Sequence, residues 1–83
     1  MLYLTLHKKW FDLIASGHKT VEYRDLKPHW IKRLKSEPEL VHFRNGYNKN
    51  SPYLLCECLG VVLNRAKGRF EIMLGRILKR GNG

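Results

Sequence analysis

The sequence predicts a single α+β domain over residues 1–83, built as a small, strongly curved β-barrel of about five strands with two helices. Its segments follow the order strand, helix, strand, helix and then three strands, and the later connections are too short for crossover helices. Glycines interrupt the long apolar stretches near the end of the chain, where they allow a small sheet to bend. A chain of this length forms one domain and buries a smaller fraction of its surface than a longer chain does.

The first four elements are predicted from changes in the spacing of apolar residues. Residues 3–5 alternate as a strand, and the apolar residues that follow group on one helical face, so we expect Trp10 and Phe11 to pack in the core. Gly17 stands where a glycine commonly follows a helix, and residues 20–24 alternate as a second strand. A second, short amphipathic helix then begins at a proline, which suits the first helical turn.

The last three strands are predicted over residues 40–44, 53–64 and 70–79. In the first of them we expect Val41 and Phe43 to point inward. The other two form a long hairpin across a basic turn, with Gly60 and Gly75 as candidate bend points. We expect the final residues, 79–83, to fray.

The second strand carries charged residues in a pattern that suits a core poorly. Strict alternation places Glu22 and Arg24 on one face and Val21 and Tyr23 on the other. We expect Val21 and Tyr23 to anchor the strand in the core, so that Glu22 and Arg24 project together on the opposite side. Lys19 has the opposite parity, and a bulge or twist at the preceding turn would bring it round to join them.

These three charged side chains form a group that is chemically competent to recognise a nucleotide. The guanidinium of Arg24 suits a phosphate or a base edge, and Lys19 supplies a second cation or an amine for proton transfer. The carboxylate of Glu22 can orient the arginine, accept a hydrogen bond from an amino group of a base, or act as a general base. A purely structural ion pair between Glu22 and Arg24 explains the same pattern.

The chain is strongly basic. Sixteen Lys and Arg residues stand against seven Asp and Glu, which gives a formal net charge of +9. Such a charge attracts polyanions, so RNA or a nucleotide is the expected partner, although a basic surface also serves solubility. Tyr47 lies in a polar loop, where its ring either stacks on a base or caps the core. The candidate phosphate-binding residues are Arg44, Lys49, Arg65, Lys67 and Arg69.

Several kinds of site are disfavoured by the residue types present. The chain contains no Walker loop and no G-x-S-x-G or H-E-x-x-H motif, and its few acidic residues do not suit a metal-dependent nuclease. Cys56 and Cys58 are expected to be buried thiols, and the four histidines show no ligand spacing, so we expect no metal and no cofactor. With no long apolar run and no signal-peptide pattern, we expect a cytoplasmic location without membrane contact.

One stretch of the chain resembles the signature of the ASCH domain family. The pattern G-x-K-x-x-E-x-R follows the first strand and helix, and its residues are Gly17, Lys19, Glu22 and Arg24. The aromatic and basic helix after it and the segment 43–47 are similar as well, so the resemblance covers essentially the whole chain. It implies a PUA-like fold, a small β-barrel sealed by helices, with a cleft lined by the signature residues. It also implies an association with RNA binding, and some members act on RNA or on modified nucleosides.

The same resemblance weighs against one activity of the family. Its acetylcytidine amidohydrolases carry a threonine where Glu22 stands here, and Thr20 does not occupy that position, so deacetylation of N4-acetylcytidine is disfavoured. The leading hypothesis is therefore an RNA- or nucleotide-binding module. The alternative is a small metal-independent hydrolase that acts on RNA, as a ribonuclease, or on modified nucleosides. In that alternative Lys19 and Glu22 are the candidate catalytic residues.

Overall fold

A five-stranded mixed sheet, curled into a half-barrel, forms the body of the protein in the computed structural model, which describes residues 1–82. The elements in chain order are β1 (Leu2–Thr5), α1 (Lys8–Ala15), β2 (Val21–Asp25), α2 (Pro28–Leu34), β3 (Leu40–Arg44), β4 (Pro52–Asn64) and β5 (Arg69–Asn82). The strands lie in the order β1-β3-β4-β5-β2, with β1 and β3 parallel and the other neighbours antiparallel. This architecture confirms the predicted small α+β PUA-like fold.

α1 ends, and α2 begins, where the sequence predicts. The amide of Gly17 donates to the carbonyl oxygen of Ile14 at 3.1 Å, and Gly17 adopts a φ of 82°, which a glycine tolerates best. Lys27 is the N-cap of α2 and Pro28 occupies its first turn. Within residues 1–82, neither helix is long and apolar enough to cross a membrane.

The core lies on the concave face of the half-barrel, where the helices cover the sheet. Val41 and Phe43 are fully buried, as predicted, and Phe11 of α1 and Leu34 of α2 pack against the same cluster. The core residues are Leu2, Leu4, Leu6, Phe11, Ile14, Leu34, Val41, Phe43, Leu54, Cys56, Phe70, Ile72 and Leu74. Both helices therefore close the concave side and leave the convex side of the sheet uncovered.

The predicted orientation of β2 is wrong. Glu22 lies directly opposite the fully buried Ile72 of β5, so its side chain points to the core face, and only 5% of the residue is exposed. Tyr23, which was expected inside, is 43% exposed, and Val21 lies outside the core cluster. β2 is an edge strand whose outer face is uncovered, so Tyr23 is exposed there. Glu22 can be buried because two cations, Lys19 and Arg24, compensate its charge.

The expected fraying of the chain end is also wrong for the residues that the structure describes. β5 continues to Asn82, which pairs with Pro52, and Gly81 pairs with Tyr53. A Cβ atom on Gly81 would lie 3.0 Å from the Tyr53 ring, so the ring packs closely over this glycine. The long hairpin is therefore ordered up to Asn82, and Gly83 lies outside the described residues.

The hairpin bends where its register shifts. Three irregularities lie between Leu55 and Gly60 on β4, in agreement with the expected bend points. Gly75 lies at one of them, opposite Glu57, whose Oε1 atom accepts a hydrogen bond from the amide of Arg76 at 2.9 Å. The carboxylate thus holds the bulged backbone of β5 in place.

The two cysteines are free and differ in burial. Cys56 is 1% exposed and belongs to the core, whereas Cys58 is half-buried and packs against it. Burial raises the pKa of the Cys56 thiol from its ordinary 9.0 to about 11, and the positive charge of Arg80 acts in the opposite direction. The Cys56 thiol therefore stays protonated and unreactive at physiological pH.

We expect iodoacetamide to alkylate Cys58 of the native protein well before Cys56, because Cys56 is enclosed and its pKa is raised. Mass spectrometry of peptides after timed labelling measures both rates. In denaturant the two thiols should react alike, and equal rates in the native protein would contradict the assignment.

The Cys56 thiol should leave folding stability unaffected below pH 9.0. Its contribution should make stability fall between pH 9.0 and about 11, since only the unfolded thiol ionises there.

Candidate functional site

The signature residues form one ion-paired group, which we call the charged cluster (Lys19, Glu22 and Arg24). Lys19 Nζ lies 3.0 Å from Glu22 Oε1, and Arg24 Nη2 lies 2.8 Å from Glu22 Oε2. The exposed fractions of the three side chains are 16%, 6% and 20%. Both carboxylate oxygens are therefore engaged by cations, and the two cations keep some contact with solvent.

The turn after α1 explains how Lys19 reaches the cluster. The left-handed Gly17 redirects the chain, and the amide of Lys19 donates to the carbonyl oxygen of Leu13 at 3.0 Å. The carbonyl oxygen of Thr20 then accepts from the amide of Leu74, which starts the pairing of this segment with β5. Lys19 thus lies on the same side as Glu22, as expected of a twist at this position.

Two tryptophans flank the charged cluster, one from each helix. Lys19 Nζ lies 4.4 Å from the ring centroid of Trp10, and Arg24 Cζ lies 5.0 Å from that of Trp30. Trp10 is 40% exposed and is not part of the core cluster, so its predicted core position is wrong. The sequence signal that points to these indoles is the presence of one tryptophan on each helix beside the signature.

Arg24 also connects the two edge strands. Its Nη2 atom lies 3.4 Å from the carbonyl oxygen of Thr5, at the end of β1, so it bridges the opening of the half-barrel. The Nε atom of the same guanidinium is buried and has no hydrogen-bond partner among residues 1–82. An unpaired buried N–H group is unfavourable by about 1–3 kcal/mol, so the other contacts of Arg24 must offset this cost.

A cavity of about 400 Å³ lies beside the charged cluster, between the end of α1 and β5. Gly17 and Lys19 line it together with apolar side chains such as Ile14. A Cβ atom on Gly17 would meet no other atom within 4 Å, so the turn itself is open. Glu22 and Arg24 do not line this cavity, so Lys19 is the member of the cluster that faces it.

The predicted phosphate-binding residues fall into two groups along the β4–β5 hairpin. Arg65 and Lys67 are exposed in the turn between β4 and β5. Arg44 pairs with Tyr53 near the other end of β4, and Lys49 is exposed in the neighbouring loop. The structure therefore divides the predicted basic surface into two parts.

Arg69 is already engaged by protein groups. Its Nη2 atom lies 3.1 Å from Glu71 Oε2, and its guanidinium carbon lies 4.0 Å from the ring centroid of Tyr23. Hydrogen bonds from Asn64 and then from Arg69 hold the pKa of Glu71 below its ordinary value. The charge of Arg69 is thus compensated locally, which makes it a weaker candidate for phosphate than Arg65 or Lys67.

Tyr47 does not cap the core, because 89% of the residue is exposed. Its loop is held from both sides. The Asn45 side chain donates to the carbonyl oxygen of Leu6 at 3.0 Å, and the amide of Asn48 donates to the Ser51 hydroxyl at 3.1 Å. A stacking role for Tyr47 stays a prediction.

Within residues 1–82, His, Cys, Asp and Glu side chains form no group of three that could hold a metal ion.

The fold and the charged cluster define a small PUA-like domain with a mixed-charge site at one edge of its sheet. The family model of the ASCH domain matches residues 4–73 of the 83-residue chain. The chain therefore belongs to the ASCH domain family. A search of the curated proteins and a search of the solved structures each gave no significant match.

We expect Glu22→Gln to destabilise the fold by about 3–5 kcal/mol, because it leaves two cations close together without their buried counter-ion. Urea denaturation, followed by circular dichroism, measures the loss of unfolding free energy. The matched control is Asp12→Asn, which breaks a largely exposed pair with Lys8 and should lower stability by no more than about 1 kcal/mol. Equal effects of the two variants would show that the cluster is an ordinary surface ion pair.

Proposed function

We propose that this protein is an RNA- or nucleotide-binding domain in which the charged cluster recognises a base and exposed cations contact phosphates. The observation that carries the proposal is the position of Glu22. It is nearly inaccessible, yet it holds Lys19 and Arg24 at 3.0 and 2.8 Å with their side chains partly exposed. The carboxylate acts as a positioning residue for two cations that a ligand can reach.

The energetics of burial support a role beyond stability. Removing charges from water is unfavourable, and a buried ion pair often stabilises a fold no better than well-packed apolar residues do. Here two cations share one carboxylate, so the charged cluster retains a net positive charge at a partly enclosed position. An anionic or electron-rich ligand would compensate this remaining positive charge.

Arg24 supplies the most specific recognition element. Its planar guanidinium is oriented by Glu22 on one side and lies against Trp30 on the other. Its side chain is 20% exposed, and a guanidinium carries more N–H donors than the one bound to Glu22, so it can also donate to a base edge or a phosphate oxygen. Such preorganisation reduces the loss of side-chain freedom on binding.

Family membership and charge support the same ligand class. The ASCH family is associated with RNA binding, and this chain belongs to it. The net charge of +9 attracts a polyanion over a distance of several ångströms at physiological salt. Arg65, Lys67 and Lys49 are exposed and are the candidate phosphate contacts.

We expect the protein to bind a fluorescein-labelled single-stranded RNA of about eight nucleotides, with an affinity that falls steeply between about 50 and 200 mM salt. Fluorescence anisotropy at both salt concentrations gives the dissociation constants. The substitution Lys67→Ala should flatten the salt dependence, because one phosphate contact is lost. Binding that is absent at low salt, or indifferent to salt, would overturn the proposal.

We expect Arg24→Lys to weaken RNA binding about tenfold or more, since lysine keeps the charge beside Glu22 but loses the planar, multi-donor guanidinium. The matched control is Arg80→Lys, an exposed arginine of β5 that donates to the carbonyl oxygen of Ala15. It should bind RNA as the wild type does. A loss of affinity in the control but not in Arg24→Lys would exclude Arg24 from the site.

A hydrolytic function of the same residues has less support, because both oxygens of Glu22 are engaged by cations and neither is free to act as a general base. Incubation with RNA and with modified nucleosides, analysed by chromatography, should give no turnover. Turnover by the wild type that disappears in Lys19→Ala would favour the hydrolase instead. Turnover that survives in Lys19→Ala would indicate a contaminant or another site.

A further inference from the structure

The convex face of the sheet carries a group of aromatic side chains that the proposed function does not use. Tyr3 of β1, His42 of β3 and Tyr53 of β4 form what we call the outer aromatic patch. The centroids of Tyr3 and His42 lie 5.3 Å apart, and those of His42 and Tyr53 lie 5.2 Å apart with an interplanar angle of 9°. Three rings from three adjacent strands therefore form a continuous row of contacts.

Strand register shows that this patch lies opposite the core. Tyr3 is the direct neighbour of His42, while Leu2 and Leu4 on either side of Tyr3 are buried. Tyr3 itself is 60% exposed, and β1 is an edge strand with no neighbour beyond it. The ring of Tyr3 is thus the open end of the row.

A cavity of about 270 Å³ adjoins the patch, and the cationic residue that lines it is Arg44. Its lining residues are Tyr3, Leu4, Thr5, His42 and Arg44, none of which is acidic. The Nε atom of Arg44 is buried and has no hydrogen-bond partner among residues 1–82. The cavity is smaller than the roughly 300–1,000 Å³ that drug-sized ligands occupy, so its size suits a single planar group.

We infer that the outer aromatic patch is a second RNA contact, which holds one unpaired base of a single strand against Tyr3 and His42. The base lies in the adjoining cavity beside these two rings, and the guanidinium of Arg44, which lines the same cavity, donates to the base edge or to the adjoining phosphate. Stacking on aromatic side chains accommodates every base, because each has a π-face, and arginine adds cation–π attraction. The inference rests on the proposed function for its ligand class but concerns the opposite face of the sheet.

The two contacts meet at the end of β1. Thr5 lines the outer cavity, and its carbonyl oxygen lies 3.4 Å from Arg24 Nη2 of the charged cluster. A single strand that crosses the sheet edge at β1 would therefore meet both sites in succession. Its bases must be unpaired, because a duplex presents no free face for stacking.

The test compares Tyr3→Leu, which removes the ring, with Tyr3→Phe, which keeps it. Anisotropy with a labelled single-stranded oligouridylate of about eight nucleotides measures both. Tyr3→Leu should raise the dissociation constant about fivefold or more, and the dissociation constant of Tyr3→Phe should stay within about twofold of the wild-type value. With an abasic strand of the same length, which retains the phosphates but has no bases, the difference between the two variants should vanish.

Other outcomes separate this inference from the proposed function. If Arg24→Lys weakens binding and Tyr3→Leu does not, the charged cluster is retained and the outer aromatic patch is rejected. If Tyr3→Leu weakens binding and Arg24→Lys does not, the patch is retained and the role of the cluster fails. Absence of any RNA binding by the wild type overturns both.

A second measurement guards against a folding defect in the variants. Tyr3 is 60% exposed, so its replacement should leave the thermal midpoint nearly unchanged. In the wild-type protein, the aromatic ring signals of Tyr3 and His42 should shift in NMR spectra as the oligouridylate is added. Ring signals that stay fixed while RNA binds would overturn the inference whatever the variants do.

Discussion

The burial of one carboxylate, that of Glu22, is the constraint on which the arrangement of this domain's edge depends. An edge strand with a charged residue on its core face is stable only if the charge is compensated, and Lys19 and Arg24 do so from either side. This requirement fixes the turn that delivers Lys19 and the direction in which Arg24 points. Through its contact with the carbonyl oxygen of Thr5, Arg24 also links β2 to β1, the opposite edge of the sheet.

The core and the charged site are supplied by different parts of the same elements. The helices contribute buried aliphatic and aromatic groups to the concave face, while Trp10 and Trp30 lie beside the two cations. The long hairpin of β4 and β5 provides the rigid support, and its bulges curl the sheet so that its two edges approach one another.

Local sequence signals were sufficient for the order of elements and for Gly17 and Phe43, because glycine conformation and strand alternation are local properties. Alternation shows which residues share a face of a strand but not which face meets the core, so it does not reveal that Tyr23 is exposed. Helical periodicity predicts a core position for Trp10 because it does not reveal a nearby cation such as Lys19. The bridge from Arg24 to β1 joins residues distant in the chain, so no local pattern predicts it.

The chain contains two tryptophans, and both contact the charged cluster, so their indole N–H signals report on the site directly. The most direct measurement is a titration of ¹⁵N-labelled protein with single-stranded RNA, followed through these two signals. If the cluster binds RNA, both signals shift, and their titration curves give the same dissociation constant as anisotropy. If RNA binds while both indole signals stay in place, the ligand lies elsewhere and the central claim is wrong.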